Sequence, residues 1–157
     1  MTQPQPLDDA ETARWTAWKH ANEAVSAAVA QEIQVAAGLS VADFSVLSRV
    51  IENGGGRMAQ QELGVMLGWQ RARLSRQLSR MADRELLLRE AGPAGRRLVT
   101  ATEAGRGALA AARPAHARAV RRALLSHAAA PGHDSFWQVL QHIAADSVPA
   151  DASTEHS

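Results

Sequence analysis

Between Gly68 and Met81 the chain reads GWQRARLSRQLSRM, which places Arg71, Arg73, Arg76 and Arg80 in one short run without an acid. On a helix, Leu74, Leu78 and Met81 stack on one face, while Arg73, Arg76, Gln77 and Arg80 share another, with Gln70 one turn earlier. Like charges at these spacings destabilise a free helix by a few tenths of a kcal/mol per pair. A helix that keeps them implies an anionic partner for its cationic face. The chemistry on offer is bidentate hydrogen bonding, since a guanidinium fork matches phosphate oxygens and the two acceptors of guanine.

Other chemistries find little support. Ser, His and Asp all occur, but no Gly-x-Ser-x-Gly elbow, phosphate loop or paired-carboxylate motif does, so an enzyme is not expected. His116, His127, His133 and His142 are scattered, with no pair at i, i+4 and no carboxylate pattern to complete a zinc set. They read as surface or interface histidines, and no metal or cofactor is expected. There is no Cys, which excludes disulfides and thiolate metal sites.

The elements that must position the arginine run follow from periodicity. Residues 1 to about 10 are polar, contain proline and are expected to be disordered. A long helix follows from about Glu11 to Ala37, with Trp15, Trp18, Val25, Val29 and Ile33 at three- and four-residue spacings and Gly38 in the terminating position. Ser40 and Asp43 form a capping-box pattern ahead of a second helix that buries Phe44, Leu47, Val50 and Ile51. After the Asn53-Gly54-Gly55-Gly56 break, Met58 to Leu67 reads as a short helix with Leu63, Met66 and Leu67 inward. Gly68 then turns the chain into the arginine helix, a helix-turn-helix pattern whose N-cap, Gln70, is a poor capping residue. Trp69 reads as a packing residue.

From Leu86 to Thr102, LLLREAGPAGRRLVTAT reads as a hairpin with a Gly-Pro-Ala-Gly loop and a returning strand that starts with Arg96 and Arg97. The longest helical stretch runs from Thr102 to about Ala128, with Pro114 expected to bend or interrupt it. A last helix, about Asp134 to Asp146, puts Phe136, Val139, Leu140 and Ile143 on one face, and 147–157 reads as a disordered tail.

The 157 residues suffice for one domain with a real core, and no internal repeat is present. Apolar residues make up 46% but aromatics only 4%, with Tyr absent, and the alanine content favours helix. Net charge is only +1, yet between Arg57 and Arg97 nine arginines face four acids, an excess of five. Sixteen of the 17 basic residues are Arg, a bias that suits phosphate and guanine and that a GC-rich genome also produces. No run of about 18 apolar residues and no signal-peptide pattern occurs, so the chain is expected in the cytoplasm, off the membrane.

The order of elements, together with LSVADFSVLSRV, QQELGVMLGWQRARLSRQLSRM and the P-A-G-R-R and V-T-A-T-E-A-G segments, resembles the MarR family of bacterial transcription regulators from about Trp15 to Ile143. Two positions depart from the family's pattern. Gly95 stands where the wing usually carries Asp, and Glu85 stands where glycine is usual after the recognition helix. The returning strand is also about two residues short of the family's length, an even deletion that preserves which side chains face inward.

The resemblance implies a mainly α fold with a small β wing. Its winged helix-turn-helix lobe is expected over 40–101, with dimerisation helices over 11–37 and 102–146. It also implies a homodimer on a pseudo-palindromic double-stranded DNA operator, usually a repressor relieved by a small-molecule effector. A two-fold dimer reads half-sites about 34 Å apart, and a mutual interface would bury Trp15, Trp18, Phe136, Leu140 and Ile143.

Within that frame Gln70, Arg71, Arg73, Arg76 and Gln77 are candidates for base edges, because Arg takes guanine and Gln takes adenine. Ser75 and Arg80 are candidates for phosphate, which fixes register without reading sequence. Arg96 and Arg97 are the wing pair, in or beside the minor groove, unless the lobe's own acids hold them. Effector residues stay unassigned; Trp18, His20 and Arg49 are the side chains in the expected region that suit an aromatic or anionic ligand. Two rival readings remain, a winged helix used for protein interaction and sequence-blind architectural DNA binding.

Overall fold

In the computed structural model, residues 5–147 are described. They form six α-helices and a three-stranded antiparallel sheet. Helix α1, Asp9–Ala37, starts earlier than expected because Asp8 and Glu11 close a capping box of 2.8 and 2.9 Å hydrogen bonds. The D-x-x-E pattern was present in a segment expected to be disordered; residues 1–4 of that segment lie outside the described residues. The tail expected over 147–157 likewise lies outside them, Ser147 excepted, which closes the last turn of α6.

Helix α2, Val41–Ser48, is capped by Ser40 and Asp43 as expected, and continues as a wider π turn over Arg49–Asn53. The reading of Met58–Leu67 as one helix needs correction. Arg57–Ala59 is strand β1, and helix α3 spans only Gln60–Leu67. Helix α4, Arg71–Asp83, carries the arginine run. Strands β2, Leu87–Ala91, and β3, Arg97–Ala101, form the expected hairpin around a tight turn at Pro93–Gly95. The sheet order is β1-β3-β2, so the strand missing from the sequence reading pairs Met58 with Val99 on the far side of the hairpin.

Helix α5, Glu103–Val120, runs unbroken through Pro114 and widens into a π turn at Arg121–Leu125, which corrects the expected interruption. Proline removes one backbone donor there, and its ring sits on an exposed position. Helix α6 is Asp134–Asp146.

One core joins these elements. Ile33 of α1, Leu47 and Val50, Leu63 of α3, Leu74, Leu78 and Met81 of α4, Leu87 and Val99 of the sheet, and Leu109 of α5 are buried together. Phe44, Ile51, Leu67 and Trp69 pack against them, half-buried, whereas Met66, expected inward, is 41% exposed. Close packing also explains Gly105. A Cβ there would stand 2.0 Å from the Leu86 carbonyl oxygen, so α5 starts hard against the turn that leads from the arginine helix into β2. No single described helix is long and apolar enough to cross a membrane.

Candidate nucleic-acid interface

Helix α4 is positioned at both ends by backbone conformation. Gly68 closes α3 at φ 63°, a left-handed turn open to glycine, and Trp69 N–H donates to the Gly64 carbonyl at 3.1 Å. Gln70 occupies the N-cap without a side-chain bond, so the first turn of α4 leaves backbone donors free at a helix N-terminus. At the other end Leu86 N–H returns to the Met81 carbonyl and Glu85 N–H to that of Ala82, the paired bonds of a Schellman motif. Glu85 therefore sits at φ 61°, where the family's usual glycine would be unstrained.

Arg71, Arg73, Arg76 and Arg80 are exposed, and none forms an ion pair among the described residues. Arg73 lies over the Trp69 ring, 4.2 Å from its centroid. Gln70 is exposed beside them. Arg96 and Arg97 project from the hairpin tip, exposed and likewise without an acid partner among the described residues. Seven of the nine residues expected at the interface, Ser75 and Gln77 being the others, thus lie exposed on the surface of α4 and the wing without an ion pair among the described residues.

Gln77 departs from the expectation. It is 5% exposed and buried on the side of α4 that carries Leu74, Leu78 and Met81. Its amide nitrogen donates to the buried Asp43 carboxylate at 2.6 Å, and its oxygen accepts from Arg80 at 2.7 Å. Arg84 completes the set, donating to Asp43 at 2.7 Å and to the Gly38 carbonyl at 2.7 Å. A carboxylate this deeply buried is tolerable because each oxygen is met by a donor, including the Ser40 backbone N–H at 2.9 Å. Gln77 is a strut that fixes α4 on the start of α2, and its side chain does not reach the exposed face.

Ser75 is half-buried, facing Arg89 of β2. That arginine donates to Ser79 at 3.0 Å, to Gln60 at 3.0 Å and to Ser75 at 3.4 Å, and so ties the wing to both helices of the helix-turn-helix. Arg89, and the second role of the capping residue Asp43 as the acceptor for Gln77 and Arg84, were both missed from the sequence. Arg89 had a signal: two residues after buried Leu87, it must face the same side of β2.

Beside this surface lies a cavity of about 680 Å³ between α2, the α3–α4 turn and α5. Phe44, Ser48, Arg49, Trp69, Arg113 and His116 are among its walls. His116 stacks on Phe44 with ring centroids 4.8 Å apart, and Arg113 pairs with Glu52 across the mouth. Ser48 Oγ is buried without a hydrogen-bond partner among the described residues. Of the three side chains thought suited to a ligand, Arg49 lines this cavity, while Trp18 and His20 lie on the exposed surface of α1. Among the described residues no cluster of three metal-ligating side chains occurs.

Comparison with known proteins adds the following. A family described as a domain of unknown function, DUF7343, matches residues 41–90, from α2 into β2. No protein of curated function matches the chain significantly. Among solved structures, AbsC, a MarR family transcriptional regulator from Streptomyces coelicolor, is 25% identical, with a TM-score of 0.80 over 91% of this chain and 97% of that one. Another MarR family regulator of that organism, solved in complex with DNA, is 22% identical, with a TM-score of 0.83 over 97% of both chains. A probable transcriptional regulator from Pseudomonas aeruginosa is 27% identical, with a TM-score of 0.66 over 85% of this chain and 95% of that one. The chain carries the winged helix-turn-helix fold of the MarR family of transcriptional regulators, the family that its sequence resembles.

Proposed function

We propose that the protein is a sequence-specific regulator of transcription that binds double-stranded DNA in the cytoplasm as a homodimer, and not an enzyme. The observation that carries this reading is the exposed face of α4, where Arg71, Arg73, Arg76 and Arg80 stand, like Arg96 and Arg97 beside them, without acid partners among the described residues. Gln70, Arg71, Arg73 and Arg76 read base edges in the major groove, Arg80 and Ser75 serve phosphate, and the wing pair enters or flanks the minor groove. An interaction module would show an apolar patch here.

A homodimer accounts for what the protomer leaves uncovered. Trp15 is 53% exposed, Trp18 43%, Phe136 38% and Ile143 56%. Large apolar side chains grouped on terminal helices suit burial against a second copy. The regulator is a repressor, and the cavity behind Trp69 holds its small-molecule effector. The mix of aromatic walls with Arg49 and Arg113 suits a planar anionic ligand. Related structures include a regulator solved with DNA, which supports the DNA partner.

Selection from a randomised DNA pool tests this reading. It should enrich a two-fold symmetric site with half-sites about 34 Å apart. Enrichment of no sequence, with tight but salt-sensitive binding, would replace it with architectural binding.

A further inference from the structure

Trp69 belongs to two places at once. Its indole lies under the Arg73 guanidinium at 4.2 Å, and it also forms part of the cavity wall together with Phe44, Met66 and His116. Its backbone is fixed by the Gly68 turn and the bond to Gly64, and the side chain packs against the core. Among the described residues Arg73 has no acid to orient it, so the ring is the contact that restricts an otherwise freely rotating side chain.

We propose that Trp69 is a positioning residue. It holds Arg73 in the geometry that reads a base, and it transmits occupancy of the cavity to that arginine. The inference rests on the assignment of Arg73 to a base edge. Any group that enters the cavity and displaces the indole shifts the platform under Arg73. By linkage, DNA that holds Arg73 in place disfavours that displacement equally.

The experiment uses the full chain and the DNA site selected above, with every single-base variant of one half-site, and melting curves to verify folding. Arg73→Ala should relax preference at one base position. Trp69→Leu should relax the same position about two- to fivefold, the equivalent of a surface cation–π contact. The double variant should be no more relaxed than Arg73→Ala alone. Trp69→Phe, with a weaker but intact aromatic face, should fall between wild type and Trp69→Leu, and it carries the test should the leucine variant not fold.

If Arg73→Ala relaxes no position, the base-reading assignment itself fails. If Arg73→Ala relaxes one while the Trp69 variants weaken all sequences equally, or add independently to Arg73→Ala, the platform is overturned. The cavity is tested by filling it. Ser45→Phe, from the half-buried cavity wall, should alter preference at the Arg73 position in the chain that has Trp69 and not in Trp69→Leu or, in its place, only weakly in Trp69→Phe. An equal effect in both backgrounds would overturn the coupling.

Discussion

At the scale of single residues, the interface divides into side chains that are free and side chains that are engaged. Arg97 is exposed at the start of β3 without an acid partner among the described residues, so in the proposed complex its contribution is electrostatic. Arg97→Ala should lower the slope of log affinity against log salt by about one ion-equivalent; an unchanged slope would place that side chain off the DNA. The exposed arginines were legible in the sequence because four cations without acids leave few places for them but solvent or a polyanion. Gln77 was not, because its type suggested adenine. Its angular position, about 60° from Leu74 and nearer Met81, falls within the apolar stripe of an ordinary helix. Its partner Asp43 stands 34 residues away, a separation that periodicity cannot bridge.

At the scale of elements, helix limits were legible at Ser40, whose capping box shows in the sequence, and at Gly38, which takes the left-handed cap position, while the Asp8–Glu11 box was overlooked; the hairpin followed from its glycine-rich loop. Strand β1 escaped because three residues are too few to show alternation, and its existence depends on pairing with β3, about 40 residues on. The unbroken α5 shows tertiary packing overriding the local cost of a proline: Ala112 and Ala115, on either side of Pro114, are both buried. The arginine helix ends on a left-handed Glu85, and strain there has a measurable counterpart. Glu85→Gly should stabilise the fold by about 0.5–1 kcal/mol, the relief of a side chain at positive φ less the extra entropy of glycine. Thermal melting would register that as a rise of a few degrees; a fall would mean that Glu85 makes a compensating contact.

At the scale of the whole molecule, α1 and α5 are clasped by Glu32, which accepts from Arg118 and Arg122 at 3.0 Å each. The Arg118 hydrogen bond, then that of Arg122, holds the Glu32 carboxyl below the usual carboxylate range. A folded-state value below the unfolded one stabilises the fold above the ordinary carboxylate pKa, and that contribution fades as pH falls through the lowered value. Glu32→Gln should therefore melt below wild type at neutral pH and converge with it once the pH has fallen below the lowered Glu32 value. A gap of constant size would put the effect elsewhere.

Assembly is the larger claim at this scale. Ile143→Glu, on the exposed apolar face of α6, should halve the mass in sedimentation equilibrium and remove operator binding at concentrations that saturate wild type. An unchanged mass would place the interface away from α6. The central claim, sequence-specific recognition through α4 and the wing, meets its most direct test in the binding of purified protein to DNA surrounding its own gene and to scrambled DNA of equal length, at two salt concentrations. The account predicts a preference for the native DNA that persists at the higher salt, with a specificity ratio of roughly 10³ or more. Equal binding to both, lost together as salt rises, would contradict it.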